Sequence, residues 1–306
     1  MSGILMSFYG AVSQGVLWSL MVLGVYITFR LLDIADLTVD GSFALGGCVC
    51  AVMIVNHGMN PVAALLMGLL AGAVAGAVTG ILHVIFDIPA ILAGILTQIS
   101  LWSVNLRIMG KSNVPLLQTR TVFLDLSDAA GISQSNANML VGVLFAAAGI
   151  AVLYWFFGTE IGCAIRATGN NEYMVRALGV DTRITKLIGL TISNAYVGLS
   201  GALICESQKY ADINMGTGAI VIGLAAIVIG EVLLGRFVNF AHKLFAVVVG
   251  SAVYFLIRAI VLQLGMDAND MKLLSALIVA VALAIPAVSR RWQLARSYDP
   301  AGKKEE

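Results

Sequence analysis

Residues 160–186 read EIGCAIRATGNNEYMVRALGVDTRITK, a polar island in a chain that is otherwise close to continuous hydrocarbon. Arg166, Arg176, Arg183 and Lys186 are interleaved with Glu160, Glu172 and Asp181, and long apolar runs flank the island on both sides. A protein that needed only to cross a bilayer would join two spans with a short turn. This loop is long enough to fold on the surface and touch another body. Its residues predict a short helix over Ala164–Thr168 with Arg166 pointing outward, and a turn at Gly169-Asn170-Asn171. Asn171 then caps a second helix, Glu172 occupies its favourable first turn, and Gly179 ends it.

The flanking composition sets the class. The 306 residues are 59% hydrophobic and 11% charged, with a mean hydropathy of +0.94. Soluble domains carry about 25% charged residues. A chain this apolar cannot cover a water-facing surface, so an all-α integral membrane protein is expected: a polytopic bundle of about 8–10 transmembrane helices with at least one broken helix. One transmembrane domain over 1–289 contains the loop at 158–186, and a basic tail follows at 290–306. No basic region precedes the first apolar run and no cleavage site follows it, so that run is expected to stay as a span. The net charge of +1 says nothing about partners, because charges partition by membrane side. The four cysteines have no pairing or metal spacing and read as small buried apolar residues.

Upstream of the island, a first span over about Phe8–Phe29 ends at Arg30, and Asp33, Asp36 and Asp40 follow within eight residues. An acid in a lipid-facing helix costs roughly 2.5–3.5 kcal/mol at mid-membrane, so these must sit at a water boundary or face inward. Asp40 or Ser42 can cap a helix starting near Phe43. The segment is either a connecting loop or a broken helix beside a polar cavity. In the third span, about Pro61–Phe86, Gly68, Gly72, Gly76 and Gly80 recur at four-residue intervals. That spacing makes a groove down one helix face, expected as a packing seam with another helix. His83 beside it is expected to hydrogen-bond internally. Asp87 can cap the fourth span, Ile88–Ile108, with Pro89 in its first turn, and the span is unusually polar: Thr97, Gln98, Ser100, Ser103, Asn105 and Arg107. Thr97, Ser100 and Ser103 recur every third residue and are expected to share a slowly rotating face, which reads as either a substrate path or an interhelical seam.

Residues 111–136 form a polar stretch with two acids, Asp125 and Asp128. The fifth span is about Met139–Phe157, with Tyr154 and Trp155 at an interface. Downstream of the island come spans over about Leu187–Cys205, Gly218–Leu234, Leu244–Leu264 and Leu273–Val288. Asn194 stands in mid-span, for a path or for helix–helix bonding. Arg258 either snorkels or pairs with Glu206 or Glu231. The chain carries no H-E-x-x-H, no G-x-S-x-G and no phosphate loop, so no catalytic activity or cofactor is expected in it.

The order of residues in the island resembles the cytoplasmic loop of ATP-binding-cassette importer permeases of the branched-chain amino acid and ribose group, G-x-x-x-x-A-x-G-x-N…A-R-x-x-G-[IV]. Gly162, Ala167, Gly169, Asn171, Arg176, Gly179 and Val180 match it, and Val175 departs from its alanine. Asp36-Leu37-Thr38-Val39-Asp40-Gly41-Ser42 is similar to a D-L-S-V-G-S element of the sugar permeases, with one residue inserted. Residues 103–110, SVNLRIMG, resemble a subgroup that works with lipoprotein-type binding proteins, some specific for aromatic amino acids. The resemblance implies a second copy of the permease, a cytoplasmic ATPase dimer carrying ATP and Mg, an extracytoplasmic binding (lipo)protein, and no nucleic acid. It implies that the loop contacts the ATPase through Gly162, Arg166, Ala167, Gly169, Asn170, Asn171, Glu172, Arg176 and Gly179. It favours the broken helix beside a translocation path at Asp36, Thr38, Asp40 and Ser42. The cost of polar groups facing hydrocarbon adds Thr97, Gln98, Ser100 and Asn105 to that path's border, and Asn194 is a candidate by its mid-span location. The alternative class is an ion-coupled secondary carrier using Asp33, Asp36, Asp40 or Glu231. Lysine and arginine counts put the loop and the tail on the cytoplasmic side, and the turn around Arg236 with them. The N-terminus is outside if Asp33–Ser42 is a cytoplasmic loop and inside if that segment crosses.

Overall fold

The computed structural model describes residues 2–117, 119–234 and 239–265, with 270, 273, 275–281 and 284 of the segment that follows. Arg236, seven of the sixteen residues of the expected span at Leu273–Val288 and the basic tail lie outside the described residues.

The chain is almost wholly helical. Helix α1 (Ser2–Tyr26) continues into a π-helical turn, Ile27–Leu31. It is followed by α2 (Val39–Val55), α3 (Pro61–Val84) and α4 (Ala90–Met109). A strand β1 (Asn113–Pro115) and a helix α5 (Val122–Ala130) lead to α6 (Gln134–Phe157). The polar island folds as α7 (Glu160–Asn170) and α8 (Glu172–Ala177). Then come α9 (Thr182–Gln208), β2 (Tyr210–Asp212), α10 (Ala219–Leu234) and α11 (Phe240–Gln263). Among the described residues six helices are long and apolar enough to cross a membrane: α1 with its π turn, α3, α4, α6, α9 and α11. Helices α2 and α10 are apolar but shorter, at 17 and 16 residues.

Helix α3 shows how sequence spacing becomes packing. Its glycines meet α9 in antiparallel order: Gly68 at Ala202, Gly72 at Gly198 and Asn194, Gly76 at Leu190 and Asn194, Gly80 at Leu187. A Cβ at Gly72 would collide with the Asn194 carbonyl oxygen. Val62, Leu66, Leu70, Val74 and Val78, offset by two residues, point the other way and are exposed. Two residues is about 200° of helical rotation, so one face is bare backbone for a neighbour and the other is hydrocarbon for lipid. Twenty-four residues span roughly 36 Å, enough for a bilayer core of about 30 Å. The expected seam is therefore present, with α9 as its partner. His83 also bonds internally, its Nδ1 lying 2.8 Å from the Ile88 carbonyl oxygen.

Helix α9 orders the ends of the molecule. Its start follows α8, and its end leads into β2, which pairs antiparallel with β1 in the register Asn113↔Asp212. The α7–α8 pair and the small sheet thus lie at opposite ends. Helix α1 runs antiparallel to α9: Ser200 donates to the Leu17 carbonyl (3.2 Å), Ser193 to the Gly24 carbonyl (2.8 Å), and Gly189 packs on Leu32. The N-terminal end of α1 is therefore at the sheet end. The break after Arg30 opens at the α7–α8 end, where Leu31 meets Gly169, and dips only as far as the middle of α9, where Asp36 bonds to Asn194.

Several boundaries differ from expectation. Helix α2 begins at Val39, four residues before Phe43, because Asp36 Oδ1 accepts the Thr38 N–H (2.9 Å) and turns the chain there. Asp40 and Ser42 lie inside α2 and do not cap it. Asp87 does not cap α4; it adopts a left-handed φ of 53° ahead of an extended Pro89, and the helix starts at Ala90. Gly169 and Asn170 are helical, and the break falls at Asn171. Gly169 serves close packing instead: a Cβ there would strike the Leu31 carbonyl oxygen. On α4, Thr97, Ser100 and Ser103 do not share a face. The buried stripe is Ala93, Thr97, Leu101, Asn105 and Met109, whereas Ser100 and Ser103 are exposed. Three-residue steps drift by about 60° each, and four-residue steps hold the face. The stretch 111–136 carries β1 and α5, which its polarity did not suggest. Arg258 pairs with neither proposed acid. Its guanidinium lies 5.8 Å from the Phe255 ring centre, Glu231 pairs with Arg30, and Glu206 accepts the Val122 N–H at the start of α5 (2.8 Å).

Candidate functional site

Two regions collect the polar chemistry. The first is the α7–α8 loop. Thr159 caps α7, its hydroxyl accepting from the Gly162 N–H at 3.3 Å. Asn171 leaves the helix with extended backbone and caps α8, its Oδ1 accepting the Met174 N–H at 3.1 Å. Gly179, at φ 85°, closes the turn, and Asp181 caps α9 through the Arg183 N–H (2.9 Å). The short α8 has too few residues to hold itself together. It is held by charge. Glu172 Oε1 accepts from Arg176 Nη2 (2.6 Å) and from the Thr182 hydroxyl (3.0 Å). Glu172 Oε2 accepts from Lys186 Nζ (2.7 Å), and Arg176 Nε donates to Thr182 Oγ1 (2.7 Å). The Lys186 hydrogen bond, reinforced by Thr182 and Arg176, holds the Glu172 carboxyl below the ordinary glutamate range. Thr168 and Thr185 share a hydrogen bond of 2.9 Å that pins α7 to the same turn of α9.

These bonds decide which side chains face out. Glu172 bridges to α9 and Arg176 to Thr182. Arg166 is exposed, as expected, and lies 4.9 Å from the Phe240 ring centre at the start of α11. Gly162 packs on the backbone of Phe156 and Phe157. Ala167 is half-buried, and Asn170 is exposed. The outward face of α8 belongs instead to Tyr173, 84% exposed, with Met174 and Leu178, the last 73% exposed. The sequence reading passed over these three because it weighed charge. The signal was present: three large apolar side chains inside a polar island.

The second region lies where α2, α3, α4 and α9 meet. Asp36, 1% exposed, accepts from Asn194 Nδ2 at 2.7 Å. Asn194 Oδ1 accepts from the Ser42 hydroxyl at 2.6 Å. Thr38 and Thr79 share a 2.7 Å bond, and Thr79 donates to Thr97 at 2.9 Å. Asp36, Thr38, Ser42, Thr97 and Asn194 are thus brought together in a buried seam, with Thr79 as a member the sequence reading did not include. Asp40, Gln98 and Asn105 are placed apart from it. They line a cavity of about 260 Å³ between α2, α4 and the 213–218 segment. Ser100 joins neither; it is exposed and bonds back to the Leu96 carbonyl (2.8 Å). The Asp40 carboxylate accepts the Gly218 N–H (2.8 Å) and the Ile220 N–H (3.0 Å), so it caps α10 from another helix.

Comparison with known proteins places this arrangement. The family model described as the permease component of a branched-chain amino acid transport system matches residues 7–283. A tyrosine transport system permease protein of Clostridioides difficile (strain R20291) is 37% identical over 284 residues, covering 93% of this chain and 91% of that protein. An uncharacterized protein, RP368, of Rickettsia prowazekii (strain Madrid E) is 32% identical over 280 residues, covering 90% and 95%. No solved structure matches.

Proposed function

The chain belongs to the branched-chain amino acid permease family and is a multi-pass membrane permease subunit of an amino acid importer of the ATP-binding-cassette type; from that premise we propose that it carries an aromatic amino acid and is driven through the outward face of α8. The tyrosine named for the 37% identical relative supports the substrate class. One observation carries the drive: α8 is clamped to α9 by Glu172, Arg176, Thr182 and Lys186 while Tyr173, Met174 and Leu178 stand in water. A rigid helix that exposes an anchor-sized apolar triplet is suited to a pocket on another protein. That protein is a cytoplasmic ATPase, which holds ATP and Mg. The four basic residues of the loop support a cytoplasmic position for this end, with the sheet end toward a binding protein outside. Two permease copies flank one path. Closure of the ATPase dimer would move α8, and α9 and α7 would carry the motion inward through the Thr168–Thr185 contact.

Ion-coupled transport is the weaker reading. Glu231 is paired with Arg30, and Asp36 is buried and bonded to Asn194. The test is direct. Tyr173→Ser, Met174→Ser and Leu178→Ser together should leave insertion intact, release the ATPase subunit on purification, and abolish ATP-driven uptake. Full assembly and uptake in the triple variant would refute the role of α8.

A further inference from the structure

We propose that the α2–α4 cavity is a subsite for the zwitterionic head of an α-amino acid, with Asp40 facing the ammonium group and Asn105 the carboxylate. The inference rests on the permease reading and names what its path recognises. Gln98, Trp102 and Asn105 stand at i, i+4 and i+7 of α4, so they share one face. Gly41 closes that face from α2: a Cβ there would sit 3.1 Å from the Gln98 Cα, so the two backbones nearly touch.

The chemistry of the lining is unequal. Asp40 brings a carboxylate that accepts backbone N–H groups at the start of α10, from Gly218 and Ile220, and its roughly four lone-pair sites exceed what these bonds use, which leaves room for a cation. Asn105 brings an amide that is 1% exposed, with neither its nitrogen nor its oxygen hydrogen-bonded among the described residues. A buried side-chain amide with no partner is costly and calls for an explanation. Its neighbours on the cavity wall are the Gln98 amide and the Trp102 indole, whose Nε1 is held 3.4 Å from Asn214 Oδ1. An ammonium needs the carboxylate, a carboxylate needs N–H donors, and a side chain needs an apolar wall. One small ligand class carries all three groups on one carbon.

The experiment uses the permease–ATPase complex in lipid nanodiscs without binding protein. Saturable binding of radiolabelled L-tyrosine is measured beside binding of tyramine, which keeps the ammonium and ring but lacks the carboxylate. Wild type is expected to bind L-tyrosine at least about tenfold more tightly than tyramine, the scale of a hydrogen bond to a charged group. Asn105→Leu should erase that difference. Asn105→Asp should reject L-tyrosine and bind tyramine more tightly than wild type, a gain that misfolding cannot produce. Absence of saturable L-tyrosine binding to wild type, an unchanged preference in Asn105→Leu, or loss of both ligands in Asn105→Asp would overturn the inference. ATP-driven uptake by the wild-type assembly is measured in parallel. Its absence counts against the permease reading, whereas failed binding with uptake intact counts only against the subsite.

Discussion

Asn194 is the residue through which the buried seam is best tested. Replacing it with leucine keeps the volume close and removes its two interhelical hydrogen bonds, one to the Asp36 carboxylate (2.7 Å) and one from the Ser42 hydroxyl (2.6 Å), besides the bond to the Leu190 carbonyl of its own helix (3.1 Å). A bond to a charged group contributes about 1.5–3 kcal/mol and a neutral one about 0.5–1.5, so their sum is about 2–4.5 kcal/mol. The Asp36 oxygen left behind is in a fully buried residue, which pushes the cost toward the upper end. The same residues could instead line a wet path. Water would then replace both bonds, and the substitution would cost under about 1 kcal/mol. Thermal unfolding of the purified protein in detergent separates the two cases. A double-mutant cycle with Asp36→Ala isolates the pair, with a coupling on the order of 0.5–3 kcal/mol expected for residues in direct contact. Additive effects, with an Asn194→Leu loss below about 0.5 kcal/mol, would refute the dry seam and return these residues to the path.

Two further outcomes follow from the same structure. Because the folded Glu172 carboxyl titrates below its unfolded value of about 4.3, its clamp contributes fully above that pH and is lost as pH falls through the folded value. The unfolding midpoint of Glu172→Gln should therefore lie below wild type at pH 7 and converge with it under acid, and a constant gap between pH 7 and pH 3 would refute the clamp. Gly72→Leu should destabilise by about 3 kcal/mol or more by forcing α3 off α9, whereas Val74→Leu on the lipid face should stay within about 0.5 kcal/mol; equal effects in the same unfolding assay would refute the assignment of faces.

Local readings survived where the deciding interaction is local. Asn171 caps α8 because an asparagine side chain reaches an N–H three residues on, and that geometry needs nothing from elsewhere in the chain. The glycine spacing of α3 announced a close helix contact in the same way, although it could not name α9. Readings failed where a distant segment supplies the partner. Asp40 was read as a cap for its own helix, yet its carboxylate serves α10, nearly 180 residues later. Gly169 was read as a turn residue, yet it is the point where α7 meets Leu31.

The amino-acid sequence by itself determined that this chain lives in a membrane, that its spans are helical, and that one long polar loop breaks them. Those facts follow from composition and period, which every residue reports independently of its neighbours in space. Only the tertiary structure decided that Asp36 and Asn194 share a seam while Asp40 and Asn105 border a cavity. It alone turned Glu172 and Arg176 toward α9 and left Tyr173, Met174 and Leu178 facing water. The physical reason is that a polar group's role is set by which partner satisfies it. In a folded helical bundle that partner comes from another helix, at a sequence distance that no local pattern encodes.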